Sequence, residues 1–186
     1  MPITPANSEA VYAVSTGSNL INQTSAAVDT LNQPHMVFYS NDPSGIPQYQ
    51  HLWFNGSEWK HNYISSRENP FMLEGRGTLQ IPISRPEILI DKNDYVYVIY
   101  RDDLTEDRMA VQRLDPPAYE PPGQVRLLWE ESLGYAEPIV DKIRWQNDGI
   151  LTMLIQHNYQ PPHDQKTQTH FDPIYLVDWD IKNDWN

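Results

Sequence analysis

The chain has 186 residues, with 25 acidic and 13 basic side chains, and its formal net charge is −12 at pH 7. A chain this acidic repels a polyphosphate unless its few cations are clustered, so nucleic acid is not expected as a partner. The absence of cysteine excludes disulfides and thiolate sites. No run of eighteen apolar residues occurs, so no membrane partner is expected either.

The first ten residues have neither the basic region nor the apolar region of a secretory signal peptide. The sequence itself therefore leaves the localisation open. We expect that any export signal of the parent protein lies outside this chain.

The apolar residues are spaced as in β-strands. Segments such as 95–100 and 150–155 are short, rich in β-branched or aromatic residues, and bounded by turn residues. The pairs Asn55-Gly56 and Asp148-Gly149 are typical of hairpin turns. No amphipathic helix of three turns is predicted, and the fold class is therefore all-β.

One unit occurs three times: an apolar strand, an aspartate, a turn and a second apolar strand. The aspartates are Asp29, Asp91 and Asp141, and they are 62 and 50 residues apart. Repeats of this kind are typical of stacked sheets such as propeller blades. The strands predicted from the three units are 24–29, 35–40, 48–54 and 58–64, then 86–91, 95–101, 108–114 and 125–131, and finally 137–141, 150–157 and 173–179.

The repeats predict a single partial β-propeller domain over residues 1–186, built from about three four-stranded antiparallel meanders. Its parts are an N-terminal strand and linker, two blades and an incomplete third blade, at 1–20, 21–66, 80–132 and 135–186. Closed propellers have at least four blades, so three units predict an incomplete ring. A loose strand at 10–14 is expected either to complete the third blade or to belong to a preceding blade outside this chain.

Two tryptophan pairs repeat in register with the blades. Each pair is six residues apart across a turn, with Trp53 and Trp59 in the first unit and Trp179 and Trp185 in the third. Tryptophans can stack on sugar rings, but side chains that repeat with the blades are expected in the core between blades.

Several segments resemble the C-terminal half of the BNR-4 repeat proteins, seven-bladed propellers that include ulvan lyases and related polysaccharide lyases. The resemblance covers roughly residues 2–135 and is carried mainly by LINQTS at 20–25 and IPISRP at 81–86. Further matching segments are PITP at 2–5, VD at 28–29, PH at 34–35, YQHLWFNG at 49–56 and YRD at 100–102.

The resemblance implies a secreted or periplasmic bacterial lyase that cleaves an anionic, uronic-acid-containing polysaccharide by β-elimination. It also implies that the main acid–base histidines and a Tyr-Pro segment lie in blades N-terminal to the matched part. No Gly-Asp-x-His-Asn, Asp-His-His or Thr-Tyr-Pro segment occurs here. We therefore expect a C-terminal propeller segment that is inactive alone and supplies one wall of the substrate channel.

β-Elimination from a uronate needs a cation or strong donor at the carboxylate, a base for the α-proton and an acid for the leaving oxygen. Residues six and four positions before each repeated aspartate should face one central region of a propeller. The first set is Gln23, Arg85 and Tyr135, and the second is Ser25, Glu87 and Glu137.

Arg85 is the main site candidate because a guanidinium can bind a carboxylate or a sulfate ester with two hydrogen bonds. The alternative is a structural ion pair with Glu87, Glu137 or a carboxylate of another blade. Arg101 would add a second cation, unless it pairs with a neighbouring aspartate, Asp102 or Asp103. The candidates for substrate binding are Gln23, Arg85, Arg101, Tyr135 and Glu137.

Catalytic candidates are few. Arg85 and Arg101 are weak candidates by charge, and His51 is a weak candidate for a general base, with a packed core histidine as the alternative. His157, His163 and His170 are weak metal-ligand candidates, because their spacings of six and seven residues match no compact zinc signature. No cofactor is predicted, and a structural divalent ion stays open.

Two other functions stay open. The first is a non-catalytic carbohydrate-binding or interaction module, whose open blade faces would pair with a second copy or with missing N-terminal blades. The second is a propeller-type glycoside hydrolase that uses Glu87 and Glu137 as its paired carboxylates.

Overall fold

The structure is a computed structural model that describes residues 3–20, 25–74, 79–121, 123–161, 171–181 and 183–185. In these ranges the chain forms three antiparallel sheets and one short α-helix. The sheets do not close into a barrel, and the all-β fold class with stacked, blade-like sheets is confirmed.

Each sheet is a meander in which strands adjacent in the chain are paired. Blade 1 consists of β1 (Ser25–Val28), β2 (Pro34–Asn41), β3 (Pro47–Phe54) and β4 (Trp59–Tyr63). Blade 2 consists of β5 (Glu87–Ile90), β6 (Val96–Arg101), β7 (Met109–Leu114) and β8 (Gln124–Leu127). Blade 3 has three strands: β9 (Ile139–Val140), β10 (Leu151–Ile155) and β11 (Tyr175–Trp179).

The repeated aspartates fix the first turn of blades 1 and 2. Asp29 Oδ1 accepts hydrogen bonds from the backbone N–H groups of Leu31 and Gln33, at 2.9 and 2.7 Å. Asp91 Oδ1 accepts the equivalent bonds from Asn93 and Tyr95. A side chain that bonds its own backbone two residues ahead stabilises a tight turn, so this repeat has a local structural cause.

The third repeated aspartate has a different role from the predicted one. Asp141 is the N-cap of α1 (Lys142–Asp148), where its side chain accepts from the Arg144 N–H. Gly149 ends the helix with φ 69°, a left-handed conformation that favours glycine. The expected hairpin turn is therefore wrong, because aspartate satisfies the backbone of a helix start as well as that of a turn.

The faces of the blades pack on one another in two apolar cores. Between blades 1 and 2, Val37 and Trp53 of blade 1 belong to one buried cluster with Val98 and Tyr100 of β6. Between blades 2 and 3, alternate residues of the same strands, such as Ile99, enter a second core together with blade 3. Period-2 alternation thus sends successive side chains of blade 2 into different cores.

The outward faces of the first and last blades are not covered by a further sheet in the described part of the chain. On blade 3, Ile139, Leu154 and Leu176 lie opposite one another across three strands, and all are exposed. The same row in blade 2, which begins with Leu89 and Tyr97, is buried against blade 3.

The predicted N-terminal strand at 10–14 is wrong. No strand is found within residues 3–20, where the one regular element is a 3₁₀ turn at Pro5–Asn7. Tyr12 instead packs its ring against Phe38 and His61 and donates a 3.0 Å hydrogen bond to Gln50 Oε1. The segment around Tyr12 therefore lies over a face of blade 1. On a sheet face its backbone does not lie beside a strand edge with which it could pair.

Strand β10 offers a matched test of the stacking. Leu151 is 1% exposed and faces the core between blades 2 and 3, whereas Leu154 is 43% exposed on the opposite face. We expect Leu151→Ala to lower the free energy of unfolding by about 2–5 kcal/mol, because it leaves a cavity in a packed interface. Leu154→Ala, measured beside it by urea denaturation, should cost less than about 1 kcal/mol. Equal losses in the two variants would contradict the assignment of the faces.

Candidate functional site

A polar contact joins the three blades beside their first strands. Ser25 Oγ donates to Glu87 Oε2 at 2.6 Å, which links β1 to β5. Lys142 Nζ, at the start of α1 in the third repeat unit, lies 2.7 Å from Glu87 Oε2 and 2.9 Å from Ser25 Oγ. Ser25 and Glu87 occupy equivalent repeat positions, so the contact brings two of the sequence-predicted central residues together.

A second polar contact lies two residues before Glu87. The backbone N–H of Arg85 donates to Glu137 Oε2 at 2.8 Å, and Arg85 Nε lies 3.3 Å from the same oxygen. The structural ion pair weighed as an alternative for Arg85 is therefore present. The Arg85 side chain is nevertheless 38% exposed, so its guanidinium is accessible to solvent.

Arg101 is enclosed. Its guanidinium donates to the backbone carbonyls of Ile81, Pro82 and Ala136, and it forms a 2.8 Å ion pair with Asp107. The Arg101 side chain is 1% exposed, and its ion-pair partner is neither of the two aspartates considered from the sequence, Asp102 and Asp103. These bonds tie the IPISRP segment to the loop before β9, and direct contact with a polymer would require some of them to break.

Tyr135 and Tyr39 complete the neighbourhood of Arg101 and Arg85. The Tyr135 ring centre is 5.7 Å from Arg101 Cζ, which is within cation–π range. The Tyr39 hydroxyl is buried and has no hydrogen-bond partner within the described residues. Burial raises the pKa of Tyr39, and the negative charge of Glu137 adds to this effect.

Sequence reasoning missed Tyr39, although the repeat contains a signal for it. Tyr39 follows Asp29 by ten residues, and Arg101 follows Asp91 by ten residues. The two side chains therefore occupy equivalent places in blades 1 and 2. We refer to the residues Tyr39, Arg85, Arg101, Tyr135 and Glu137 as the blade-start cluster.

The electrostatics of the blade-start cluster are set by Glu137. Burial raises the pKa of Glu137, and the neighbouring Arg85 guanidinium partly opposes that rise. A largely buried carboxylate of this kind stays charged only when it is paired. The cluster thus offers a solvent-accessible cation, the Arg85 guanidinium, which is a group that binds carboxylates.

The other predicted site residues are not brought into this cluster. Gln23, His163 and His170 lie outside the described residues. His157 lies at the surface, where its Nδ1 is 3.7 Å from Asp172 Oδ2. Within the described residues, no group of three or more His, Asp or Glu side chains is placed to hold a metal ion.

His51 is a packed core histidine. Its Nε2 lies 2.9 Å from His35 Nδ1, and its ring stacks on Trp53. Both histidine side chains are fully buried. Burial lowers the pKa of His35 to about 4 and that of His51 well below its usual range. Because the His51 side chain is buried, a substrate cannot reach it, and the general-base role considered for His51 is not supported.

Three of the four paired tryptophans contact the cores between blades. Trp53 belongs to the first core, and Trp179 and Trp185 pack against the second. Trp59 lies on the outward side of blade 1, where its ring centre is 5.7 Å from that of Phe54.

No helix among the described residues is long and apolar enough to cross a membrane. Comparison of the sequence with known protein families and with curated proteins finds no match. The resemblance to BNR-4 repeat proteins therefore stays a prediction from sequence motifs.

The buried histidines predict acid sensitivity. The pKa of His35 is lowered on folding from 6.5 to about 4, so the unfolded chain binds more protons between these values and stability falls as the pH falls through them. For His35 this amounts to about 3 kcal/mol between pH 7 and pH 4. Urea denaturation at several pH values should show it.

His35→Gln is the matched variant for that measurement, because glutamine keeps hydrogen-bonding groups but does not titrate. It should flatten the pH dependence below pH 6.5 by about the same 3 kcal/mol. The comparison with wild type is needed because burial raises the pKa of Asp102 to about 7, which acts in the opposite direction. Identical pH profiles for the two proteins would contradict the burial of His35 as a neutral side chain.

Proposed function

We propose that the chain is a propeller segment that binds an anionic, uronic-acid-containing polysaccharide at the blade-start cluster. In this proposal it forms one wall of the substrate channel of a polysaccharide-lyase-like protein. The observation that carries the proposal is the state of Arg85, which is held in place by Glu137 and yet remains accessible.

The geometry of the Arg85 pair supports ligand binding. Glu137 contacts the backbone N–H and Nε of Arg85, and no hydrogen bond of the two terminal guanidinium nitrogens is found among the described residues. These terminal nitrogens form a fork that matches a carboxylate or a sulfate. Glu137 therefore orients the side chain through its backbone N–H and Nε, which leaves the hydrogen-bonding capacity of the terminal nitrogens for a uronate.

The overall charge makes this local arrangement necessary. At −12 the chain repels an anionic polymer at long range, and the repulsion is screened beyond about 8 Å at physiological ionic strength. Attraction must therefore come from a cation in direct contact. Arg85 meets this condition, and Lys142, which is also partly exposed, lies beside the neighbouring Glu87.

The same groups argue for binding without turnover by this segment. A lyase base must accept a proton, but burial raises the pKa of Tyr39 and so keeps its hydroxyl protonated. His51 is enclosed in the core between blades 1 and 2. The proposal therefore assigns the proton-transfer groups of the reaction to parts of a propeller other than these blades.

A paired-carboxylate hydrolase is not adopted as the proposal. Glu87 is ion-paired with Lys142, and Glu137 is ion-paired with Arg85. Hydrolysis of a glycosidic bond needs two carboxyl groups that flank one bond, one of them free to act as an acid. Each of these two carboxylates is instead paired with a basic side chain.

Titration calorimetry with polygalacturonate tests the proposal. Arg85→Gln should weaken binding about tenfold, equivalent to ~1.4 kcal/mol, because it removes a direct ion pair with the polymer. Lys60→Gln is the charge-matched control, because Lys60 lies on the outer strand β4 and pairs with Glu58. It should leave the affinity within about twofold. The isolated chain should also release no unsaturated, ultraviolet-absorbing product.

Two outcomes would contradict the proposal. One is the absence of polygalacturonate binding by the wild-type chain at low ionic strength. The other is an equal loss of affinity in Arg85→Gln and Lys60→Gln, which would show that net charge alone governs the interaction.

A further inference from the structure

Blade 3 ends in an open strand edge. Its strand order is β9, β10, β11, so β11 is paired on one side, with β10. The strands in the same place in blades 1 and 2, β3 and β7, are paired on their outer side with a fourth strand, β4 or β8. No strand pairs with the outer edge of β11 in the part of the chain that the structure describes. The backbone groups on that edge are therefore available to a further strand.

Strand β11 is much more exposed than its counterparts. Seven of the eight residues of β3 and five of the six residues of β7 are buried, whereas no residue of β11 is buried. Leu176 is 69% exposed and Tyr175 is 46% exposed. An exposed edge that carries apolar and aromatic side chains is a template for pairing with another chain.

The outer edges of the other two blades are protected against such pairing, and the edge of β11 is not. Lys60 lies on β4 and Arg126 lies on β8, and charged side chains on an edge strand discourage the addition of a further strand. The sequence of β11, YLVDW, contains neither a basic residue nor proline. Its one charged residue, Asp178, is ion-paired with Arg144 at 2.8 Å. An unprotected edge of this kind is expected where the assembled protein covers it.

The described residues after β11 do not supply the fourth strand. Ile181 is 1% exposed and belongs to the core between blades 2 and 3. The ring centre of Trp185 lies 5.5 Å from Arg113 Cζ and 5.0 Å from Arg126 Cζ, both on blade 2. In blade 1 the matching tryptophan, Trp59, instead begins β4. This segment is thus anchored on blade 2, and the strand that covers β11 comes from outside it.

The sequence of β11 is complementary to itself in the antiparallel direction. A two-fold axis at Val177 places Val177 opposite its own copy and places Tyr175 opposite Trp179. Aromatic and β-branched cross-strand pairs stabilise antiparallel sheets. The remaining pair sets Leu176 opposite Asp178, whose charge is already balanced by its ion pair. Two five-residue strands in this register form about four to six backbone hydrogen bonds.

We propose that the chain forms a two-fold dimer in which β11 pairs antiparallel with β11 of a second copy. The two three-stranded sheets of blade 3 then join into one six-stranded sheet. Because both copies use the same edge, the contact closes at two chains. None of the five residues of the blade-start cluster lies on β11, so the dimer does not depend on the polyuronate site proposed above.

Sedimentation equilibrium of the full chain tests the proposal. Between about 1 and 100 µM the chain should follow a monomer–dimer equilibrium. The net charge of −12 opposes the approach of two copies, and salt screens this repulsion. The dimer should therefore be tighter in about 0.5 M than in about 0.05 M sodium chloride.

A matched pair of variants separates edge pairing from contact between sheet faces. Leu176→Asp places a carboxylate opposite Asp178 of the second copy, twice in each dimer, and should weaken dimerisation at least about tenfold. Leu154→Asp makes the same charge change on the same outward face but on the middle strand β10, and should weaken it less than about threefold. Leu176→Lys places a cation opposite Asp178, and its dimer should be as tight as that of wild type or tighter.

A cysteine scan tests the register, since the chain has no cysteine of its own. In the proposed dimer the two copies of Val177 are directly opposite, with Cα atoms about 4.5–5.5 Å apart. A disulfide spans this distance. Mild oxidation of Val177→Cys should therefore give a covalent dimer on a non-reducing gel, whereas Leu154→Cys should stay largely uncross-linked.

Three outcomes would overturn the proposal: a monomer over the whole concentration range at both salt concentrations, an equal loss of dimer in Leu176→Asp and Leu154→Asp, and cross-linking of Leu154→Cys in preference to Val177→Cys. The second would point to contact between sheet faces. Arg85→Gln should leave the dimer unchanged, so that failure of polyuronate binding and failure of dimerisation are observed separately.

Discussion

The burial of blade 2 on both faces is the constraint on which the rest of the structure depends. All six residues of β6, Val96–Arg101, are buried, and successive side chains enter different apolar cores. A strand buried on both faces loses the alternation of apolar and polar residues that a solvated sheet shows. Blade 2 therefore cannot be stable as a separate sheet, and blades 1 and 3 fold against it.

The polar groups beside the first strands complete this stacking. Ser25, Glu87 and Lys142 bond one another across three repeat units, and the guanidinium of Arg101 bonds three backbone carbonyls. The buried members of these contacts, Ser25 and Arg101, are tolerated at low exposure because each one has hydrogen-bond partners. Recognition is proposed where donors without a hydrogen-bond partner among the described residues are accessible, at the terminal nitrogens of Arg85. The proposed function thus depends on donors that the stacking of the blades does not use.

The blades could be predicted from sequence because their signals are local: alternating strands and an aspartate that bonds the next turn. Local signals gave a wrong prediction at Asp141, because an aspartate can cap a helix as well as stabilise a turn. They also gave a wrong prediction at 10–14, because a segment that covers a sheet face has the same apolar pattern as an edge strand. Arg85 and Glu137 were identified by counting from the repeat. The enclosure of Arg101 could not be predicted, because it depends on contacts with residues distant in sequence, such as the Ala136 carbonyl.

Native-state hydrogen exchange of the backbone amides tests the central claim most directly, because it ranks the strands by the free energy of opening. If blade 2 is held between two apolar cores, the slowest amides should lie in β6 and β7. Those of β10 and β11, whose blade has an open face with Leu154 and Leu176, should exchange faster. Slower exchange in β10 and β11 than in β6 and β7 would contradict the proposed stacking.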